Sequence, residues 1–162
     1  ENTGVHPLIV NSEAVRRVRA KHGSALLPQA YPEGCPPHPA YPSGHATVAG
    51  ACVTVLKALF DEKRKLRFPL QPTRDGKDWQ AFDANLPAPT VGAELNKLAT
   101  AVAMGRNFAG IHWRSDAWQG LLLGESVATA WLRAEKRKSI EGQQGWLKGF
   151  EFTSFAGERI VV

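Results

Sequence analysis

The stretch "PPHPAYPSGHATVAGA", residues 36–51, joins a proline-rich loop to an apolar helix and carries His38 and His45. Proline fixes its own φ angle and lacks an amide donor, so the chain up to Pro42 is predicted to be a stiff, extended loop. Ser43 then suits the N-cap of the helix that follows. The free amides of a first helical turn and the positive end of its dipole favour a bound anion. From these residues alone, an ordinary capped helix and one half of an anion site both remain open.

Length and charge limit the class of protein. The 162 residues, 43% of them apolar, are enough for a buried core, so residues 1–162 are expected to form a single domain. Lys and Arg number 20 against 15 Asp and Glu, and the net charge of +5 fits small anions, phosphate esters or nucleic acid, or a basic surface without a partner. No apolar run approaches the ~20 residues of a membrane span. We therefore expect a soluble chain, whose compartment stays open, with the periplasm and secretion as candidates.

Three long helices dominate the predicted fold. The first follows Ser43, the second follows Thr90, and the third begins with Ser115 as the cap and Asp116 as the acid of the first turn. Apolar residues at helical spacing mark the faces that we expect to be buried. These are Val48, Cys52, Val55 and Leu59 in the first helix, and Val91, Leu95, Leu98, Val102 and Ala109 in the second.

Smaller elements complete the predicted fold. Residues 1–11 are expected to be irregular, and residues 61–90, charged and then rich in proline, look like a long surface excursion. In the third helix Gly120 and Gly124 predict that another helix approaches closely. Residues 150–162 alternate apolar and polar side chains around a turn, which predicts a β-hairpin. The fold class is therefore mainly α, a helical bundle with a small C-terminal β-hairpin.

A second segment, "GRNFAGIHWRSD" at residues 105–116, carries further candidate site residues. Arg106 points toward the apolar face of its helix, where a charge needs a buried anion or a carboxylate partner, and guanidinium matches a tetrahedral oxyanion. His112 suits a metal ligand or a nucleophile toward phosphorus, with Asp116 fixing which ring nitrogen is free. Each residue alone also fits an ordinary buried side chain whose polar groups are satisfied.

The two segments together resemble a known signature. Pro-Ser-Gly-His at residues 42–45, followed by Arg106, five residues, His112, three residues and Asp116, resembles the family that joins vanadium-dependent haloperoxidases with bacterial and membrane-type acid phosphatases. The stretches "YPEGCPPHPAYPSGHATVAGACVTVLKALF", "GAELNKLATAVAMGRNFAGIHWRSD", "QGLLLGESVA" and "FEFTSFAGERI" look like the same regions of algal and cyanobacterial vanadium bromoperoxidases. The resemblance runs from about residue 12 to the end and implies the helical bundle of that family.

The resemblance implies a vanadate cofactor, V(V), whose site phosphate can occupy in its absence. His112 matches the histidine that ligates vanadium. Arg106, Ser43 and the Gly44 amide match groups that contact the vanadate oxygens. These four residues are therefore the expected cofactor site.

The resemblance also implies the reaction and its partners. His45 matches the acid–base histidine that helps to deprotonate hydrogen peroxide, and Asp116 is the expected orienter of the vanadium ligand. His38 matches a histidine of bromoperoxidases that chloroperoxidases replace by an aromatic residue, which favours bromide. The expected reaction oxidises bromide or iodide through a peroxovanadate to hypohalous acid, which halogenates an organic acceptor. We expect no nucleic-acid partner and no membrane span.

Two alternatives stay open. In an acid phosphatase of the same superfamily, His112 would be the nucleophile, His45 the acid for the leaving group and Asp116 the orienting group. In a non-catalytic assembly subunit, the apolar helices would serve oligomerisation alone.

The sequence departs from the family pattern in two places. The family's first motif, a lysine followed by an Arg-Pro pair, is expected upstream of the loop, yet no Arg-Pro pair occurs in the 162 residues. One arginine, one serine and one amide supply little counter-charge for vanadate. We therefore expect this chain to be the C-terminal part of a larger haloperoxidase domain, with the missing Lys and Arg on an upstream segment or a second chain, and to form a homo-oligomer. Gly105 stands where the broader signature has serine, which weakens the phosphatase alternative.

Overall fold

The computed structural model describes residues 6–25, 36–67, 70–141 and 149–162. Cys35 and most of the predicted proline-rich loop lie outside these ranges. The helices and strands, in chain order, are α1 (Pro7–Val10), α2 (Glu13–His22), α3 (Gly44–Leu59), β1 (Leu70–Pro72), β2 (Trp79–Ala81), α4 (Val91–Phe108), α5 (Arg114–Glu141), β3 (Glu151–Thr153) and β4 (Arg159–Val161). The predicted class, mainly α with a C-terminal hairpin, is confirmed. In the described part of the chain, no helix combines the length and the apolar character needed to cross a bilayer.

The starts of the long helices follow from local capping. The Ser43 hydroxyl accepts a hydrogen bond from the Ala46 amide at 3.4 Å, and the Thr90 hydroxyl accepts one from the Ala93 amide at 3.2 Å. The predicted cap at Ser115 is wrong, because α5 already begins at Arg114. The Asp116 carboxylate reaches back to accept a hydrogen bond from the amide of the residue before the helix, as the acidic residue of a capping box does.

Two segments are more ordered than the sequence suggests. Residues 7–10 form a single helical turn with proline in its first turn, where an irregular chain was predicted, since proline's missing amide costs nothing there. The predicted surface excursion contains the antiparallel β1–β2 hairpin, in which Leu70 is paired with Ala81 and Pro72 with Trp79. The two strands remain largely exposed, as expected for an excursion.

Glycines set the close contact between α3 and α5. A Cβ atom on Gly120 would lie 2.7 Å from the Ser43 carbonyl oxygen, and one on Gly50 would lie 2.5 Å from the Leu121 carbonyl oxygen. A Cβ atom on Gly124 would collide with the Thr47 carbonyl. The predicted close approach at Gly120 and Gly124 is therefore confirmed, and α3 is the helix that approaches.

The buried face of α3 is not the predicted apolar stripe. Val48 is 64% exposed, Leu59 is 61% exposed and Cys52 is exposed, whereas Ala46 and Val53 are buried. In α4 the predicted face is likewise split, since Leu98 and Val102 are exposed. Small side chains form the core because they permit close helix approach. The buried apolar cluster between these helices consists of Ala46, Val53, Ala99, Ala103, Ala117 and Leu121, and a second cluster beside the C-terminal hairpin consists of Leu132, Phe150, Phe152 and Val162.

A buried cation attaches the C-terminal hairpin to the bundle. The Lys57 ammonium has no solvent exposure, donates a hydrogen bond to the Thr153 carbonyl at 2.6 Å and lies 3.9 Å from a Glu125 oxygen. It also lies 4.5 Å from the centre of the Phe155 ring, whose residue donates its amide to Glu125 at 2.7 Å. Burial lowers the pKa of Lys57, against the opposing effect of Glu125, and burial raises the pKa of Glu125. The hairpin predicted at residues 150–162 is thus confirmed and firmly docked.

Candidate functional site

Ser43 joins the start of α3 to the first turn of α5. Its side chain is fully buried, and its amide donates a hydrogen bond to the Asp116 carbonyl at 3.1 Å. This contact places a residue of the first candidate segment directly against one of the second. The sequence could not predict it, because the bond joins two backbone groups that are far apart along the chain.

His112 lies in the connection between α4 and α5 and is 8% exposed. Its Nδ1 atom is 3.6 Å from an Asp116 oxygen, beyond hydrogen-bond range but close enough for electrostatic orientation of the ring. In residues 6–25, 36–67, 70–141 and 149–162, this nitrogen has no hydrogen-bond partner. The Asp116 carboxylate is itself held, since it accepts hydrogen bonds from the Trp113 amide at 3.0 Å and the Ser115 hydroxyl at 3.1 Å.

Arg106 is connected to the same region through the end of α4. It is half-buried in the last turn, and its carbonyl accepts a hydrogen bond from the Ile111 amide at 3.1 Å. Gly110 permits this reversal because its φ angle is +76°, a value that side chains disfavour. The end of α4 therefore folds back on the connection that carries His112. Arg106 thus contacts the residue next to His112, and His112 is linked through Asp116 to Ser43.

His45 and His38 are not brought into this series. Gly44 and His45 occupy the exposed first turn of α3 and line the groove of about 680 Å³ between α3 and α4, where Leu98 and Val102 are also found. His112 lines a different groove, of about 560 Å³. His38 is exposed on the loop, with its Nδ1 2.9 Å from the Pro39 carbonyl. The described residues thus place the candidates at one end of the bundle but in no shared pocket.

The chemistry of the donor groups fits a metal oxyanion better than a bare cation. Among the residues described, no group of three or more His, Cys, Asp and Glu side chains is placed to hold a metal ion. One buried imidazole, a serine at a helix start, the amide of an open glycine and a guanidinium instead suit an anion that brings its own oxygens. Gly44 leaves open space where a side chain would stand, so such an anion can approach its amide.

Sequence reasoning missed the buried pair formed by Lys57 and Glu125. The available signal was the position of each charged residue within a strongly apolar helical run, "VTVLKAL" for the lysine and "LLLGESVATA" for the glutamate. Such a position requires a buried partner. The partners lie in the C-terminal hairpin and on the neighbouring helix, which the sequence alone did not connect.

Comparison with known proteins identifies the family. Residues 11–139 match the family described as the VCPO second helical-bundle domain. The chain is 51% identical over 107 residues to a vanadium-dependent bromoperoxidase from Corallina officinalis. The matched region covers 65% of this chain and 17% of that relative. It is 42% identical over 164 residues to the vanadium-dependent bromoperoxidase of Ascophyllum nodosum, covering 94% of this chain and 28% of that relative. The chain thus spans less than a third of the length of these relatives. It belongs to the family of the VCPO second helical-bundle domain.

Proposed function

We propose that this chain supplies one side of the vanadate site of a vanadium-dependent bromoperoxidase, which oxidises bromide or iodide with hydrogen peroxide. Two supports are the names of the relatives and their 42–51% identity to this chain. The observation that carries the proposal is the buried His112 beside Asp116, joined through the Asp116 carbonyl to Ser43. This arrangement fixes a single imidazole next to groups that suit the oxygens of an anion.

We assign the cofactor contacts to the residues at this end of the bundle. His112 would ligate vanadium, and Asp116 would hold the ring in one orientation. The Ser43 hydroxyl, the Gly44 amide and the Arg106 guanidinium would contact the vanadate oxygens. When bound, vanadate would supply a V(V) Lewis acid that polarises peroxide toward attack by a halide.

The remaining assignments concern protons and the halide. His45 is exposed on the first turn of α3, so it can take a proton from hydrogen peroxide and exchange it with solvent. His38 would face the halide and favour bromide over chloride. Arg106 alone cannot balance a vanadate trianion, so we place the missing Lys and Arg on an upstream segment or a second chain. The exposed apolar groove beside α3 further supports association into a homo-oligomer.

The test measures bromination by the polypeptide at its natural length. Protein stripped of metal by a chelator should brominate a phenolic acceptor only when bromide, peroxide and added orthovanadate are all present. The variant His112→Ala should lose more than about a hundredfold of this activity, since losing even a residue that supports a metal ligand costs about 10–100-fold. The matched control is His22→Ala, which removes an exposed histidine from α2.

The alternatives predict different results. Hydrolysis of an aryl phosphate that vanadate inhibits, without bromination, would support an acid phosphatase with His112 as the nucleophile. Neither activity would support a subunit that serves assembly only. Vanadate-dependent bromination that persists undiminished in His112→Ala would refute the ligand assignment.

A further inference from the structure

We infer that Gly120 is a positioning residue. It sets the distance between His112 and the two residues at the start of α3, Ser43 and Gly44, that the proposed function assigns to the vanadate oxygens. This inference rests on the proposed function. Both backbone groups of Ser43 meet the first turns of α5. The Ser43 amide donates a hydrogen bond to the Asp116 carbonyl at 3.1 Å, and the Ser43 carbonyl lies 2.7 Å from where a Cβ atom on Gly120 would stand.

The space at this contact admits only a hydrogen atom. A methyl group on Gly120 would also lie 2.8 Å from the Ala46 Cβ atom and 3.3 Å from the Thr47 amide nitrogen. Carbon does not approach the Ser43 oxygen or the Ala46 Cβ atom so closely, and neither is the flexible end of a long side chain. The first turn of α3 would therefore have to move away from α5.

Such a movement would shift the start of α3 and leave His112 and Asp116 in place. Ser43, Gly44 and His45 are consecutive at the start of α3, so they shift together as a rigid turn. Asp116 lies one turn before Gly120 on α5 and remains beside His112. The change would thus separate the hydroxyl and amide contacts from the imidazole ligand without altering any of these side chains.

A second glycine provides a matched control. A Cβ atom on Gly50 would lie 2.5 Å from the Leu121 carbonyl oxygen, so Gly50→Ala strains the same α3–α5 contact to a similar degree. Gly50 is seven residues beyond Ser43, about 10 Å along the helix. Its effect on stability should match that of Gly120→Ala, whereas its effect on the start of α3 should not.

The experiment compares the two variants in the polypeptide at its natural length with two readouts. The first is the dissociation constant of orthovanadate, followed by ⁵¹V NMR, and the second is hydrogen exchange of the Ser43 amide. Gly120→Ala should weaken vanadate binding by about tenfold or more, because a displacement near 1 Å costs up to about a hundredfold in a preorganised site. It should also speed exchange of the Ser43 amide. Gly50→Ala should leave both readouts near wild type while it lowers the Tm comparably.

Two outcomes would overturn the inference. Equal changes of both readouts in the two variants would overturn it, as would unchanged Ser43 exchange in Gly120→Ala. If wild type binds no vanadate, the proposed function fails, and Ser43 exchange alone still decides whether Gly120 sets the helix start. If Gly120→Ala does not fold, the double variant with Ala46→Gly, which removes one of the two contacts under 3 Å, replaces it with the same expected results.

Discussion

Helix α3 is buried against α5 along Ala46, Gly50 and Lys57, whereas its other side, with Val48 and Cys52, faces the open groove beside α4. The buried side combines small residues with Val53, Thr54 and one charge, whereas the open side is apolar and carries no charge. Close packing and satisfied polar groups, rather than side-chain hydrophobicity, therefore determine which side of α3 is covered. The comparison separates residues that hold this fold together from residues whose apolar surface faces outward.

The largest test of this comparison removes the buried cation. Lys57→Met should lower the free energy of unfolding by about 3–5 kcal/mol, because it leaves the Glu125 carboxylate buried without its counter-charge. Urea unfolding followed by circular dichroism measures the change. Lys97→Met is the control, since Lys97 makes an exposed pair with Glu94, and such pairs contribute only about 0–1 kcal/mol. Equal losses in the two variants would contradict the role of the buried cluster, and Lys57→Met with Glu125→Gln should recover much of the loss.

The next prediction, with a smaller expected effect, compares a leucine that packs against the buried side of α3 with a leucine in the open groove beside α4. Leu121 is 4% exposed in the core, so Leu121→Ala should cost about 2–5 kcal/mol of unfolding free energy. Leu98 is 55% exposed in the groove, and Leu98→Ala should change it by about 0.5 kcal/mol or less. Chemical denaturation of both variants measures the contrast. A loss at Leu98 as large as that at Leu121 would show that the groove is covered in solution.

These two sides also show what the sequence could reveal. The caps at Ser43 and Thr90 and the C-terminal hairpin were predicted, because each depends on residues within a few positions. The buried side of α3 was not, because the predicted stripe at residues 48, 52, 55 and 59 and the buried one at 46, 50, 53 and 57 have the same helical spacing. The prediction chose the stripe with the larger apolar side chains, whereas close helix packing buries the stripe that contains Ala46 and Gly50. Lys57 also lies on the buried stripe, and a charged residue at that position indicated an exposed face.

The candidate site divides in a similar way. The motif residues were chosen by their chemistry, and the structure brings Ser43, His112 and Asp116 together. The contact that joins them is a backbone hydrogen bond, which depends on how two helices pack and leaves no signal in the residue types. His45 lines a groove apart from His112, and nothing in its residue type predicts this separation.

The smallest predicted effect concerns the outer surface of the hairpin. Hydrogen bonds from Arg159 and Lys63 lower the pKa of Glu151 from 4.5 to about 2. Because the folded pKa is the lower one, this carboxylate adds stability above pH 4.5, and the contribution is lost as pH falls from about 4.5 to about 2. The stability difference between wild type and Glu151→Gln should therefore be constant above pH 5 and shrink toward pH 2. Urea midpoints measured across this range test it, and Glu125 is common to both proteins, so its opposite trend cancels. A difference that does not change with pH would contradict the assignment.

The buried Lys57 has a consequence for the response of this fold to salt. Ions in solution screen exposed charges, with a screening length of about 8–10 Å at physiological ionic strength. The exposed pairs that Glu151 makes with Arg159 and Lys63 therefore weaken as electrolyte is added. Dissolved ions cannot enter the space between Lys57, Glu125 and the Phe155 ring, where the lysine has no exposed surface. The hairpin is thus attached by the buried Lys57 cluster, which added salt does not weaken, and by the exposed Glu151 ion pairs, which added salt does weaken. In concentrated brine its edge should loosen while its base stays in place.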